Sequence, residues 1–154
     1  MRDLSKRLVY GLPAFVWGLV IGSFSSSRFS SSWTMEALRE ILAFFYLPVS
    51  RSGLEKLNAL VRTGAHLVEY ALFSLLVFWA WRAGRAEKWR WSWAAGSIVI
   101  ALLLAAADEI HQSRVPLRDG SIIQFGLDFV GALGALVILR IVQIRRVSKT
   151  LDKG

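Results

Sequence analysis

The sequence predicts an all-helical bundle embedded in a membrane, and three observations lead there. The 154 residues are 55% apolar and only 19% charged, with a mean hydropathy of +0.46. A soluble domain averages about 25% charged residues, and a disordered chain reverses the balance. The apolar residues fall in blocks long enough to cross a hydrocarbon core of about 30 Å as helices, which takes roughly 17–25 residues. Finally, 12 of the 19 Lys and Arg residues gather in segments 1–7, 82–90 and 140–154, beside only three acids, Asp3, Glu87 and Asp152. A chain of this length makes one domain.

Four blocks qualify as spans. Residues 8–24 carry no charge, and Gly11, Pro13 and Gly18 are tolerable within a membrane helix. The basic start and the small residues Ser23 and Ser25 also fit a cleavable signal peptide, which would leave three spans. Residues 59–81 form the second block, apolar from Tyr70 onward but holding Arg62, His66 and Glu69 before it. The third, residues 91–107, ends at Asp108-Glu109. The fourth, residues 122–139, is interrupted by Gln124 and Asp128. Between the first two blocks, a cluster of serines reads as a turn and helix-capping region. Then Leu38, Ile41, Leu42 and Phe45 recur at helical spacing opposite Glu36, Arg39 and Glu40. This predicts an amphipathic helix over about residues 34–47, ended by Pro48 and lying at the outer interface or over the bundle.

Orientation follows from the basic residues, which collect on the cytoplasmic side of membrane proteins. Four spans with both termini cytoplasmic put the three basic segments inside. The net charge of +8 then needs no nucleic acid: anionic lipid headgroups attract those residues. Trp79, Trp81, Trp89, Trp91 and Trp93 bracket the basic loop as an aromatic belt does. The chain has no cysteine, which excludes disulfide scaffolds, thiolate zinc sites, iron–sulfur clusters and cysteine nucleophiles.

Ionisable groups inside a span cost about 2.5–3.5 kcal/mol each on insertion scales, so each needs a reason. On this topology they share one depth. His66 and Asp128 each lie roughly 10 Å below the external boundary at 1.5 Å per residue, and Asp108, Glu109 and Gln112 close the third span. His66, Glu69 and Tyr70 project from one helix face, as do Asp108 with Gln112, and Gln124 with Asp128. Gly131 and Gly134 allow close helix approach. These spacings predict an acid-rich cleft among spans two, three and four, open to the outside. A His with carboxylates can hold a divalent cation, a buried Glu can serve as general acid or base, and Arg118 can clamp an anionic group. The same residues also fit a structural role, with His66–Glu69 locking helices and Arg118 neutralising acids. No HExxH, GxSxG or phosphate-loop motif occurs.

The runs Arg62-Thr-Gly-Ala-His66-Leu-Val-Glu69-Tyr70, Asp108-Glu109-Ile-His-Gln112, Pro116-Leu-Arg118 and Asp128-Phe-Val-Gly131 together resemble the VanZ-like family. Phe24-Ser-Ser-Ser27 resembles the family's serine-rich exit from the first span. The likeness covers the chain from about Gly18 to Ala135. Thr63 stands where the family usually has Lys, Leu117 where it has Gly, and Gln124 where it has Asp; the last change suits hydrogen bonding better than metal ligation. The resemblance implies an integral membrane protein of a family named for low-level resistance to teicoplanin, a lipoglycopeptide that acts outside the cell. It supplies no reaction.

The resulting expectation is a single VanZ-like domain, residues 1–154, in the cytoplasmic membrane. Its outward cleft binds or processes an amphiphilic envelope molecule: a lipid-linked wall precursor, a polyprenyl phosphate or a lipoglycopeptide. If the cleft catalyses, Glu69 or Glu109 is the general base, with His66 and Asp108 orienting it or binding a divalent cation. Arg118 holds an anionic group, and Arg62, Tyr70, Gln112, Gln124 and Asp128 complete the ligand contacts. The alternative is a non-catalytic scaffold or partner subunit whose polar residues only join helices. A proton- or ion-coupled carrier would need polar positions continuing inward, where the sequence offers only Ser74, Ser92 and Ser97.

Overall fold

The computed structural model describes residues 2–25, 31–114 and 121–151. They form five helices and no strand: α1 (Arg2–Phe24), α2 (Ser31–Phe44), α3 (Arg51–Arg82), α4 (Trp91–Gln112) and α5 (Ile122–Leu151). The central element is α3, which packs against each of the others, while α4 also packs on α5.

Local chemistry sets the limits of α3. Ser50, extended in backbone, accepts a hydrogen bond from the Gly53 amide at 3.2 Å and so satisfies one of the orphan donors of the first turn. The helix ends at Ala83, in the left-handed region with φ 42°, whose amide bonds the Trp79 carbonyl. Gly84 follows at φ 73°, a conformation that glycine adopts without steric cost. The 32 residues between extend about 48 Å, so α3 begins well before the residue 59 expected from hydropathy.

The amphipathic helix is present, but three residues earlier than its apolar spacing suggests. Its first turn uses Ser31 and Ser32. It closes in a Schellman arrangement, with the Tyr46 amide on the Ala43 carbonyl and the Leu47 amide on the Leu42 carbonyl. Tyr46 takes the left-handed φ of 53°, so the helix stops ahead of Pro48. No residue of α2 is buried, and Phe44, Phe45, Tyr46 and Leu47 are largely exposed. Such a surface suits the headgroup boundary of a bilayer.

Among the described residues, three helices are long and apolar enough to cross a membrane: Arg51–Arg82, Trp91–Gln112 and Ile122–Arg146. The expected count of four is corrected here. Among the described residues the apolar part of α1, Leu8–Phe24, is a shorter helix.

Helical repeats of four build the packing. On α3, His66, Tyr70, Ser74 and Phe78 are buried at successive turns; on α5, Asp128, Ala132 and Leu136 are buried likewise. Between these stripes the backbones meet at Gly131, where a Cβ would come within 2.4 Å of the Leu67 carbonyl oxygen. Gly134, also expected to permit close approach, has nothing within 4 Å of that position. Ser74 donates to the Ala132 carbonyl at 3.1 Å and adds a polar tie along the same seam. One apolar cluster joins Ala14 and Ile21 of α1, Tyr70, Phe73 and Val77 of α3, Ala101 and Ala105 of α4, and Ala132 of α5. A second, of Phe78, Trp93, Ala94 and Leu136, lies toward the basic loop.

Candidate functional site

The polar residues of α3, α4 and α5 meet at the level of His66. His66 Nδ1 and Asp128 Oδ1 are 2.9 Å apart, with His66 8% exposed and Asp128 fully buried. This pair couples the middle of α3 to the first turns of α5. A ring held through Nδ1 by a carboxylate has its orientation fixed, and Nε2 is left as the nitrogen to meet a ligand. In enzymes the same carboxylate–imidazole arrangement orients a general base.

Two cavities share His66 and Arg62 in their walls. The first, about 390 Å³, is lined by Arg62, His66 and Glu69 of α3 and Asp108 and Gln112 of α4. The rest of its lining is largely apolar: Ile21 and Phe24 of α1, Trp33 of α2 and Val61 of α3. The second, about 410 Å³, is more polar, with Ser31, Glu55, Asn58, Thr63 and Gln124 beside Arg62 and His66. The cleft expected among spans two, three and four is therefore walled by α1 and α2 as well, with Asp128 of α5 behind His66.

Asp108 and Gln112, one turn apart and both buried, are joined by a hydrogen bond from Gln112 Nε2 to Asp108 Oδ2 at 2.7 Å. This realises the shared face expected of them. Helix α4 runs on through Asp108 and Glu109 to Gln112, so these acids belong to the helix body. Glu109 turns elsewhere: its Oε2 accepts the Ser121 amide at the start of α5. A carboxylate there also complements the positive end of the α5 dipole. Glu109 is not among the residues lining either cavity.

Glu69 lines the first cavity, and its main-chain carbonyl accepts Trp17 Nε1 at 2.9 Å, a tie between α3 and α1. Tyr70 projects from the same side as His66 but lies in the apolar core, and its hydroxyl has no hydrogen-bond partner among the described residues. Gln124 reaches the second cavity together with His66. Arg118 lies outside the described residues. Among the described residues, no group of three or more His, Asp or Glu side chains could hold a metal ion. Among the described residues His66 meets Asp128 at hydrogen-bond range, and the amide of Gln112 occupies one oxygen of Asp108.

Several site residues escape the sequence reading. Asn58 is buried and donates to Ser31 Oγ at 2.8 Å, which holds α2 over the second cavity. It precedes Arg62 and His66 at intervals of four, a spacing visible in the sequence but cut off by starting the span at residue 59. Ser25 is buried in the wall of the first cavity; its place within a serine run marks it only as a capping residue. Trp17 and Trp33 carry no signal beyond their aromatic character.

A model of the VanZ/LLP1 family matches residues 11–143 of the chain. No curated protein and no solved structure matches it.

Proposed function

The chain belongs to the VanZ/LLP1 family, and on that premise we propose that it binds an amphiphilic cell-envelope molecule in the cleft around His66. The observation that carries this reading is the make-up of the first cavity. Ile21, Phe24, Trp33 and Val61 offer an apolar wall, and Arg62, His66, Glu69, Asp108 and Gln112 a polar one, in about 390 Å³. Ligand sites of this kind combine a mostly apolar surface with a few placed polar groups. A molecule with an oily portion and a hydrogen-bonding or phosphate-bearing head satisfies both walls. Lipid-linked wall precursors, polyprenyl phosphates and lipoglycopeptides are of that class. His66, oriented by Asp128, and Arg62 contact the head.

The protein sits in the cytoplasmic membrane, crossed by α3, α4 and α5 with the 82–90 loop and the C-terminal basic segment inside. The support for this is the concentration of Lys and Arg in the 82–90 loop and from residue 140 onward. On this topology the cleft opens outward, toward the envelope.

A scaffold reading draws on a different observation. The His66–Asp128 pair and the Glu109–Ser121 bond both join helices. Arg62→Gln and His66→Asn, the latter keeping an N–H toward Asp128, separate the two. Polyprenyl phosphate and teicoplanin are titrated in turn against detergent-solubilised protein, read by isothermal titration calorimetry. The binding reading expects folded variants with unaltered melting and affinity for at least one ligand lowered about tenfold, the worth of a charge-assisted hydrogen bond. Loss of folded protein without change in affinity per folded molecule, or no saturable binding by the unaltered chain, overturns it.

A further inference from the structure

A larger cavity lies away from the His66 cleft. Helices α1 and α4 each pack on α3, and between them runs a groove of about 990 Å³. Its walls are Phe15 and Leu19 of α1 and Ile100 and Leu104 of α4, over a floor of Phe73 and Val77 from α3. From Ser92 to Leu104 the α4 wall extends about 18 Å. At one end stand two guanidinium groups, Arg85 and Arg90, which also line the groove. Both lie over the same Trp93 ring, at 5.7 and 5.5 Å from its centroid.

The convergence of two like charges on one buried indole asks for an anion. Arg85 spends its hydrogen bonds on the Trp81 and Arg82 carbonyls, which brings it no counter-charge. Arg90 meets Glu87 through both Nε and Nη2; with both side chains more than half exposed, water screens that pair, and Glu87 is one acid beside two guanidinium groups. The loop residues 82–90 hold Arg82, Arg85, Lys88 and Arg90 against the single acid Glu87. Basic pockets at the ends of membrane helices are places where anionic headgroups settle, and the planar guanidinium grips phosphate in two-pronged fashion.

The geometry points to a resident lipid site: the groove between α1 and α4 holds one acyl chain of an anionic phospholipid, whose phosphate meets Arg85 and Arg90. Charge complementarity selects the head and the continuous apolar lining accepts the chain. The site shares no residue with the two cavities around His66, so it stands or falls independently of the function proposed there.

Native mass spectrometry of the whole protein in detergent tests the assignment, with phosphatidylglycerol and phosphatidylcholine of identical chains as probes. Two altered proteins accompany it, checked for folding by circular dichroism. Arg85→Gln with Arg90→Gln removes the head contacts at exposed positions. Gly11→Leu fills the groove from α1, at a position where a Cβ meets no heavy atom within 4 Å. The unaltered protein retains one phosphatidylglycerol about tenfold more tightly than phosphatidylcholine, and each altered protein loses that preference. Equal retention of the two lipids, or a preference that survives in either altered protein, overturns the proposal.

Discussion

Where α3 meets α5, the two backbones touch; where it meets α1 and α4, side chains hold the helices apart and leave room between them. The first flank is closed by the absence of a side chain at Gly131 and by two polar ties, His66–Asp128 and Ser74 to the Ala132 carbonyl. The second relies on Phe73 and Val77, whose bulk spaces α1 from α4 and forms the floor of a 990 Å³ groove. Water drives apolar surfaces together in soluble proteins, but lipid tails are as apolar as leucine, so a membrane helix pair is held by close packing and hydrogen bonds. The α3–α5 seam has both and is therefore the rigid part of the bundle. On the other flank Trp17 ties α1 to the Glu69 carbonyl of α3, but no hydrogen bond among the described residues crosses the groove between α1 and α4, and there the chain leaves space that a lipid chain can fill.

Substitutions along the two flanks can break or sharpen this contrast. The largest effect is expected at Asp128. Asp128→Ala strands His66 in a buried setting and lowers stability by about 3–5 kcal/mol, read as melting temperature in detergent. Asp128→Leu combined with His66→Leu recovers most of the loss, because no polar group is then left unmatched. If the double change is as damaging as the single one, the pair is not what holds the seam.

Gly131→Ala comes next. A methyl group within 2.4 Å of the Leu67 carbonyl oxygen forces the helices apart and costs about 1–3 kcal/mol. Gly134→Ala, with open space at the same test position, leaves stability unchanged or raises it by up to about 1 kcal/mol through helix propensity. Equal melting of the two variants would dissolve the distinction between a closed seam and an ordinary interface. Ser74→Ala is expected to cost about 0.6 kcal/mol, the mean for a hydrogen bond between membrane helices. On the open flank, Gly11→Leu shifts stability by no more than about 0.5 kcal/mol, and a larger loss there would mean that the groove is tighter than its volume implies.

The features legible in the sequence are those that depend on period and composition. Helical class, the polar level at His66, Asp108 and Asp128, and the shared face of Asp108 and Gln112 all follow from counting residues along a helix. The direction in which neighbouring residues point around the axis is less accessible. Asp108 and Glu109 are adjacent, but one residue turns a helix by about 100°, so one acid lines the cavity and the other caps the start of α5. Gly131 and Gly134 are three apart and equally small, and only the position of Leu67 on the partner helix distinguishes them. The contribution of Asn58 and Ser25 was hidden because each lies in a segment read as a boundary, where polar residues are unremarkable. The apolar run of α1, Leu8–Phe24, sits at the lower limit of length for a span, where hydropathy discriminates least.

One imidazole serves as a wall common to both chambers of the cleft, and it is leashed to α5 while the chambers' other residues belong mostly to the remaining helices. Any occupant that crowds the ring from one chamber must push it toward the other or strain the tether. The two compartments therefore cannot be filled as strangers: the shape offered by one is conditional on what already occupies its neighbour.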